Sequence, residues 1–163
     1  MRLVRIILVL AAFLALSACA SKFKTYDGPA VTSVQIQKGA RKMYLLSGTQ
    51  VLESYDIGLG FAPVGDKEFE GDGKTPEGNY VIDRRNPNSE YHLSIGINYP
   101  NAEDRAYAAS IGKEPGGDIF IHGGPNRKVT VRDWTFGCIA VTDREIEWIY
   151  AMVRDGTPVQ ILP

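Results

Sequence analysis

The chain has 163 residues, 44% of them apolar and 23% charged, with a net charge of -1. That is the profile of one folded domain, and it excludes a disordered chain and a multi-span membrane protein. No basic stripe stands out, which argues against a nucleic-acid partner. Two cysteines and two histidines are too few for a disulfide framework or a four-thiolate zinc site.

The first nineteen residues read as an address. Arg2 and Arg5 give a positive start, and residues 6–16 are an unbroken apolar run. A spanning helix needs about 18 or more apolar residues, so this run fits the core of a secretory signal peptide. Leu16-Ser17-Ala18-Cys19 follows and resembles a bacterial lipobox. The resemblance implies cleavage before Cys19 and lipid on its sulfur. The alternative is an ordinary cleaved signal that leaves Cys19 as a thiol. Ala20 stands after Cys19 where Asp would mark retention, which resembles outer-membrane sorting in Gram-negative bacteria. The expected organisation is a signal peptide over 1–18, a lipidated tether over 19–30 and one catalytic domain over 31–163. The expected location is extracytoplasmic and lipid-anchored, on the periplasmic face of the outer membrane if the cell is Gram-negative. Cys138 is then the lone free thiol in an oxidising compartment, either buried and inert or reactive and used.

From Val31 onward the pattern is mainly strand. Val34 and Ile36 alternate with polar neighbours before a turn at Lys38-Gly39. Residues 42–46 and 51–57 are strand candidates, and Gly48-Thr49 suits a tight hairpin with glycine at its first central position. Residues 58–75, rich in Gly, Asp and Lys, read as a loop; the acidic spacing of 66–72 does not match a calcium loop. Thr75-Pro76-Glu77-Gly78 turns into a strand over 79–83, and 91–97 alternates as another. Asn101 caps an alanine-rich helix over 101–111. Thr142-Asp143-Arg144-Glu145 is a capping box opening a helix over 142–153. Its Ile146, Ile149, Tyr150 and Val153 share one face, which is core packing. Residues 158–162 form a last strand. Strands with small helical additions predict a mainly β, sandwich-like fold or barrel.

The chemistry lies between residues 117 and 142. Alternation in Asp118-Ile119-Phe120-Ile121-His122 puts His122 on the face opposite Ile119 and Ile121, at a strand end before Gly123-Gly124. Cys138 follows Gly137 and precedes an apolar triplet, sixteen positions after His122. A cysteine nucleophile needs a base, amides aimed at the developing oxyanion, and a group that orients the base. His122 is the base available. The backbone amides of Gly137 and Cys138 are the oxyanion candidates. The carbonyl of Gly123 is the candidate to orient the ring. On spacing alone, a lone Cys and a lone His are as readily core residues as a dyad.

His122, Gly123, Thr135, Gly137 and Cys138 together resemble the catalytic domain of L,D-transpeptidases, cysteine enzymes that cross-link bacterial peptidoglycan. The run Thr75-Pro76-Glu77-Gly78-Asn79-Tyr80 resembles that family's turn before an early strand. The likeness covers about residues 31–163. It implies a β-rich sandwich, a thioester on Cys138, and His122 as proton donor and acceptor, without metal or cofactor. The family usually has His before the Gly-Cys pair and Arg two residues after the cysteine; Phe136 and Ala140 stand there instead. Asp-Trp-Thr-x-Gly-Cys-Ile-Ala resembles a recurring branch of the superfamily. Arg127, Lys128 and Arg132 either replace the positive charge or belong to a solvated loop.

Among the remaining residues, His92 is a candidate lining or structural residue, and too isolated for a metal ligand. Trp134 is a candidate shaper of the acceptor side, with packing as the alternative. Thr135 and Arg132 complete the candidate substrate contacts. The expected activity is a cysteine L,D-transpeptidase acting on peptidoglycan stem peptides, monomeric and held to a membrane by its lipid. A hydrolase of the same fold and a non-catalytic wall-binding lipoprotein are the competing readings. An activated thiol is expected to titrate below the free value of about 8.5, and an inert one is not.

Overall fold

The computed structural model describes residues 21–124 and 131–163. The signal-peptide segment, Cys19, Arg127 and Lys128 lie outside the described residues. The elements run β1 (Ser33–Gln37), β2 (Lys42–Ser47), β3 (Gln50–Asp56), β4 (Gly78–Asn86), β5 (Ser94–Ile97), α1 (Ala102–Ser110), β6 (Phe120–His122), β7 (Ile139–Ala140), α2 (Asp143–Met152) and β8 (Pro158–Leu162).

The strands form one curled eight-stranded sheet in the order β3-β2-β1-β8-β4-β5-β6-β7. The mainly β expectation holds. β4 belongs to both halves: residues 78–81 pair with β8, and residues 82–86 pair with β5 across an irregular register. The sheet can turn there because an irregular register bends the strand.

Alternation decides which face is buried. Val34, Ile36, Met43, Leu45, Val159 and Ile161 fill the core from one half, with Ile82, Ile95, Ile97, Ile121 and Ile139 from the other. The β2–β3 hairpin turns at Gly48, whose φ of +58° is cheap only for glycine. α2 starts at Thr142 through the capping box read from the sequence, and buries Ile146, Ile149 and Met152. It packs across β5 and β6, behind the strand that carries His122. Asn101 caps α1 as its residue type suggests.

Two expectations change. Only residues 94–97 of the 91–97 stretch form a strand, and all four are buried, so no alternation survives there. Tyr91, His92 and Leu93 instead make a three-residue turn, with Leu93 N–H bonded to Tyr91 O at 2.9 Å and His92 at φ +71°. The start of the 58–75 loop is also not loose. Gly58 pairs with Ala140 and Gly60 with Thr135, so residues 58–60 run beside β7 on the side away from β6.

Candidate active site

β6 and β7 pair in parallel, with Ile121 beside Ile139 and His122 beside Ala140. That register brings Cys138 alongside Phe120, whose N–H donates to Cys138 Sγ at 3.4 Å. The thiol in turn donates to Asp118 O at 3.4 Å. His122 projects from the same face of β6, two residues on from Phe120. Both side chains open into a cavity of about 250 Å³, which Asn86, Glu90, Tyr91, Asp118 and Phe120 also line.

The imidazole is buried, and Nδ1 lies 2.7 Å from Gly123 O. A carbonyl only accepts, so Nδ1 carries the proton and Nε2 keeps its lone pair. Burial pushes the His122 pKa down, against the smaller pull of the Gly123 carbonyl. Burial also pushes the Cys138 thiol up, and Asp118 adds to it. The Phe120 N–H, Lys67 and Arg84 offset this only in part. The resting pair is therefore neutral thiol and neutral imidazole, not thiolate and imidazolium. Of the two thiol behaviours set out from the sequence, this is that of a buried thiol and not of a preformed thiolate, the one that counted against catalysis. Chemistry then requires Nε2 to take the proton as the sulfur attacks.

Gly137 sits at φ +133°, and a Cβ there would stand 2.8 Å from Lys74 O. Its N–H donates to Thr135 Oγ1 at 3.2 Å, so this amide already has a partner. Thr135 Oγ1 also donates to Cys138 O at 2.7 Å. Thr135 is thus a buried turn former beneath the nucleophile and does not line the cavity.

Three other candidates land elsewhere. His92 faces away from the cavity, its Nε2 2.9 Å from Glu147 Oε1. Arg132 bonds Ile57 O, Arg41 O and Asp56, which aims its guanidinium at the β2–β3 side. The positive charge felt by the thiol comes instead from Lys67 and Arg84, the latter stacked 4.6 Å over the Phe120 ring. Trp134 meets the His122 ring edge-on at 5.7 Å and lines a neighbouring groove with Ala140 and Thr142.

Sequence reasoning missed Tyr91, whose ring stacks on the imidazole with centroids 4.4 Å apart. Strand alternation had placed it on a sheet, and no local motif marks it. Asp118 was missed too; its φ of +56° turns its carbonyl onto the thiol, and only the preceding Gly116-Gly117 hints at an irregular backbone. Among the described residues no three His, Cys, Asp or Glu side chains converge to hold a metal.

Residues 32–161 match the YkuD family, the L,D-transpeptidase catalytic domain. The chain belongs to that family. Among relatives of this L,D-transpeptidase domain, a protein of Escherichia coli (strain K12) named "Putative L,D-transpeptidase YafK" is 36% identical over 126 residues. The match covers 74% of this chain and 46% of that protein. The helical cell shape determining protein Pgp2 from Campylobacter jejuni superposes with a TM-score of 0.64 at 25% identity, covering 93% of this chain and 54% of its own. Bd1075 from Bdellovibrio bacteriovorus superposes with a TM-score of 0.58 at 25% identity, over 86% and 50% of the two chains. An L,D-transpeptidase from Mycobacterium smegmatis shares the fold at 14% identity, with a TM-score of 0.55 over 82% and 59%. The chain spans about half the length of the relatives it matches.

Proposed function

We propose that this L,D-transpeptidase domain transfers peptidoglycan stem peptides through a thioester on Cys138, with His122 as acid and base. One observation carries the proposal: Cys138 and His122 open into a single cavity while Gly123 O holds Nδ1, leaving Nε2 as the base. As sulfur attacks the donor carbonyl carbon, the thiol proton passes to Nε2. The carbonyl π electrons move onto oxygen, where the Cys138 N–H is the candidate donor, since that of Gly137 serves Thr135. Collapse breaks the C–N bond, and Nε2–H protonates the departing amine. An acceptor amine then attacks the thioester carbon and gives its proton to Nε2; the C–S bond breaks, and Nε2–H returns that proton to the sulfur. No step draws on a metal or cofactor.

The proposal extends to placement. The lipobox supports cleavage before Cys19, with lipid on its sulfur and the 31–163 domain outside the cytoplasm. In a Gram-negative cell that is the periplasmic face of the outer membrane. The domain works as a monomer on peptidoglycan. The likeness to Pgp2 supports a role in cell shape.

The test uses the full chain purified in detergent, with tetrapeptide muropeptides and a labelled D-amino acid, products read by mass spectrometry. Labelled exchange product that vanishes in Cys138→Ala is the expected result. Shortened peptide without label would replace transfer by hydrolysis at the same cysteine. Untouched substrate in both folded proteins would overturn catalysis in favour of wall binding.

A further inference from the structure

One face of the His122 ring is stacked against the Tyr91 ring at 4.4 Å and 30°. Trp134 touches both, with ring centroids 5.7 Å from each. The backbone repeats the contact: Gly123 N–H donates to Tyr91 O at 3.1 Å and to Leu93 O at 3.3 Å. The residue whose carbonyl holds Nδ1 is thus itself held by the turn that carries Tyr91.

That turn is an uncommon one. An i→i+2 bond around a residue at φ +71° is the positive-φ γ-turn, which a non-glycine residue adopts only at a cost. Its central residue, His92, is fixed from outside. Glu147 on α2 takes Nε2 at 2.9 Å and Lys24 Nζ at 3.0 Å. Lys22 Nζ reaches the carbonyls of Pro87 at 2.6 Å and His92 at 3.1 Å, bracketing the segment that leads into Tyr91. The Phe23 ring leans on Tyr150 of α2. Residues 22–24, expected to be part of a tether, lie against the body as a strap.

We propose that this strap and the His92 turn form a positioning device for His122: Lys22 and Glu147 hold the turn, and the turn presses Tyr91 onto the imidazole. Tyr91 is a positioning residue, since it acts through the ring it covers. The proposal rests on the reading of His122 as acid and base, and it gives the strap a task in catalysis. In sequence the strap begins three positions after Cys19, the proposed lipid-bearing residue.

Among the described residues, few groups surround the imidazole. Ser94 lies opposite it on β5, Cys138 beside β7, and Glu90 and Asp118 line the same cavity. Asp143 at the start of α2 accepts from Gly124 N–H at 3.0 Å. Removing Tyr91 exposes the ring to water and to these carboxylates, both of which favour its charged form.

The test is nitrogen-edited NMR of the two histidine rings in the full chain, with His122→Ala to assign them, beside steady-state kinetics. In wild type, His122 is expected as a single Nδ1–H tautomer. In Tyr91→Leu, mixed tautomers and an upward-shifted titration are expected, with kcat down about tenfold and KM within about twofold, a part of the roughly 10²–10⁴ that acid–base groups supply. Tyr91→Phe keeps the ring and restores both readouts. Lys22→Met, far from the thiol, moves tautomer and kcat the same way by a smaller factor. Unchanged tautomer and titration in Tyr91→Leu and Lys22→Met would overturn the proposal. The ring signals do not depend on turnover. Perturbed rings in an inactive wild type would keep the positioning device and remove only the assigned activity.

Discussion

Thr135 and Cys138 are joined by a hydrogen bond from Oγ1 to the cysteine carbonyl at 2.7 Å, closed beneath the sulfur. The same oxygen accepts the Gly137 N–H at 3.2 Å. One buried hydroxyl therefore fixes the backbone on both sides of the Gly137–Cys138 peptide. Thr135→Val keeps the shape and loses both bonds. It leaves an amide and a carbonyl unpaired, at a cost of about 1–3 kcal/mol. Thr135→Ser keeps the hydroxyl. Urea unfolding is expected to show the loss in Val and not in Ser, and turnover is expected to fall in the same order.

Gly137 is fixed by conformation as well as space. At φ +133° any L side chain is strained, and a Cβ would meet Lys74 O at 2.8 Å. Gly137→Ala is expected to lose at least about 1–3 kcal/mol of stability and to displace the Cys138 amide. Single-turnover acylation is the sensitive measurement, because it reads the amide's alignment separately from product release.

The neutral resting pair has a pH signature. The thiol is raised, so alkylation of Cys138 by iodoacetamide, followed on its own peptide by mass spectrometry, should rise only above the free-thiol value of about 8.5. His122 is lowered, so activity should persist below the ordinary imidazole value of about 6.5. The stability sign follows from proton counting. Below about pH 6.5 the unfolded chain binds a proton that the folded one refuses, so stability falls as pH drops through that window and rises with pH across it. Mutating Tyr91 to Leu should narrow the window.

The helix caps, the Gly48 hairpin and the last strand were legible because each is a local rule: a capping residue, a two-residue spacer, an alternating run. Cys138 and His122 were legible as candidates because the chain has only two cysteines and two histidines, and Gly123 because it directly follows His122. Tyr91 and Asp118 were not. Their roles come from a γ-turn at His92, held by distant partners, and from a positive φ at Asp118. Lys22 lies seventy positions from His92 in the chain and Glu147 fifty-five, so no window of sequence contains the contact. Arg132 misled for the same reason: a basic residue near the cysteine in sequence turned to Asp56 and Ile57 once β2 and β3 were in place.

The loop behind Gly137 depends on a buried ion pair. Lys67 Nζ and Asp72 Oδ1 are 2.8 Å apart, each side chain 3% exposed. Asp72 also accepts the N–H groups of Glu68, Phe69 and Lys74, whereas among the described residues Lys67 has only Phe69 O besides. The two deletions are therefore unequal. Asp72→Ala strands an ammonium and three amides, and is expected to cost about 3–5 kcal/mol. Lys67→Met removes the buried cation and leaves Asp72 with its three amides, so it should cost less. Burial opposes ionisation of Asp72, yet Lys67 and the amides of Glu68, Lys74 and Phe69 hold its carboxyl below the ordinary range. Its contribution is present above about pH 3.9 and is lost only as pH falls through the lower folded value. Urea midpoints of wild type, Asp72→Ala and Lys67→Met, measured from pH 7 down to pH 3, check both the ranking and the sign. Equal losses in the two variants would mean that the pair, and not the amide cradle, holds the loop against Gly137.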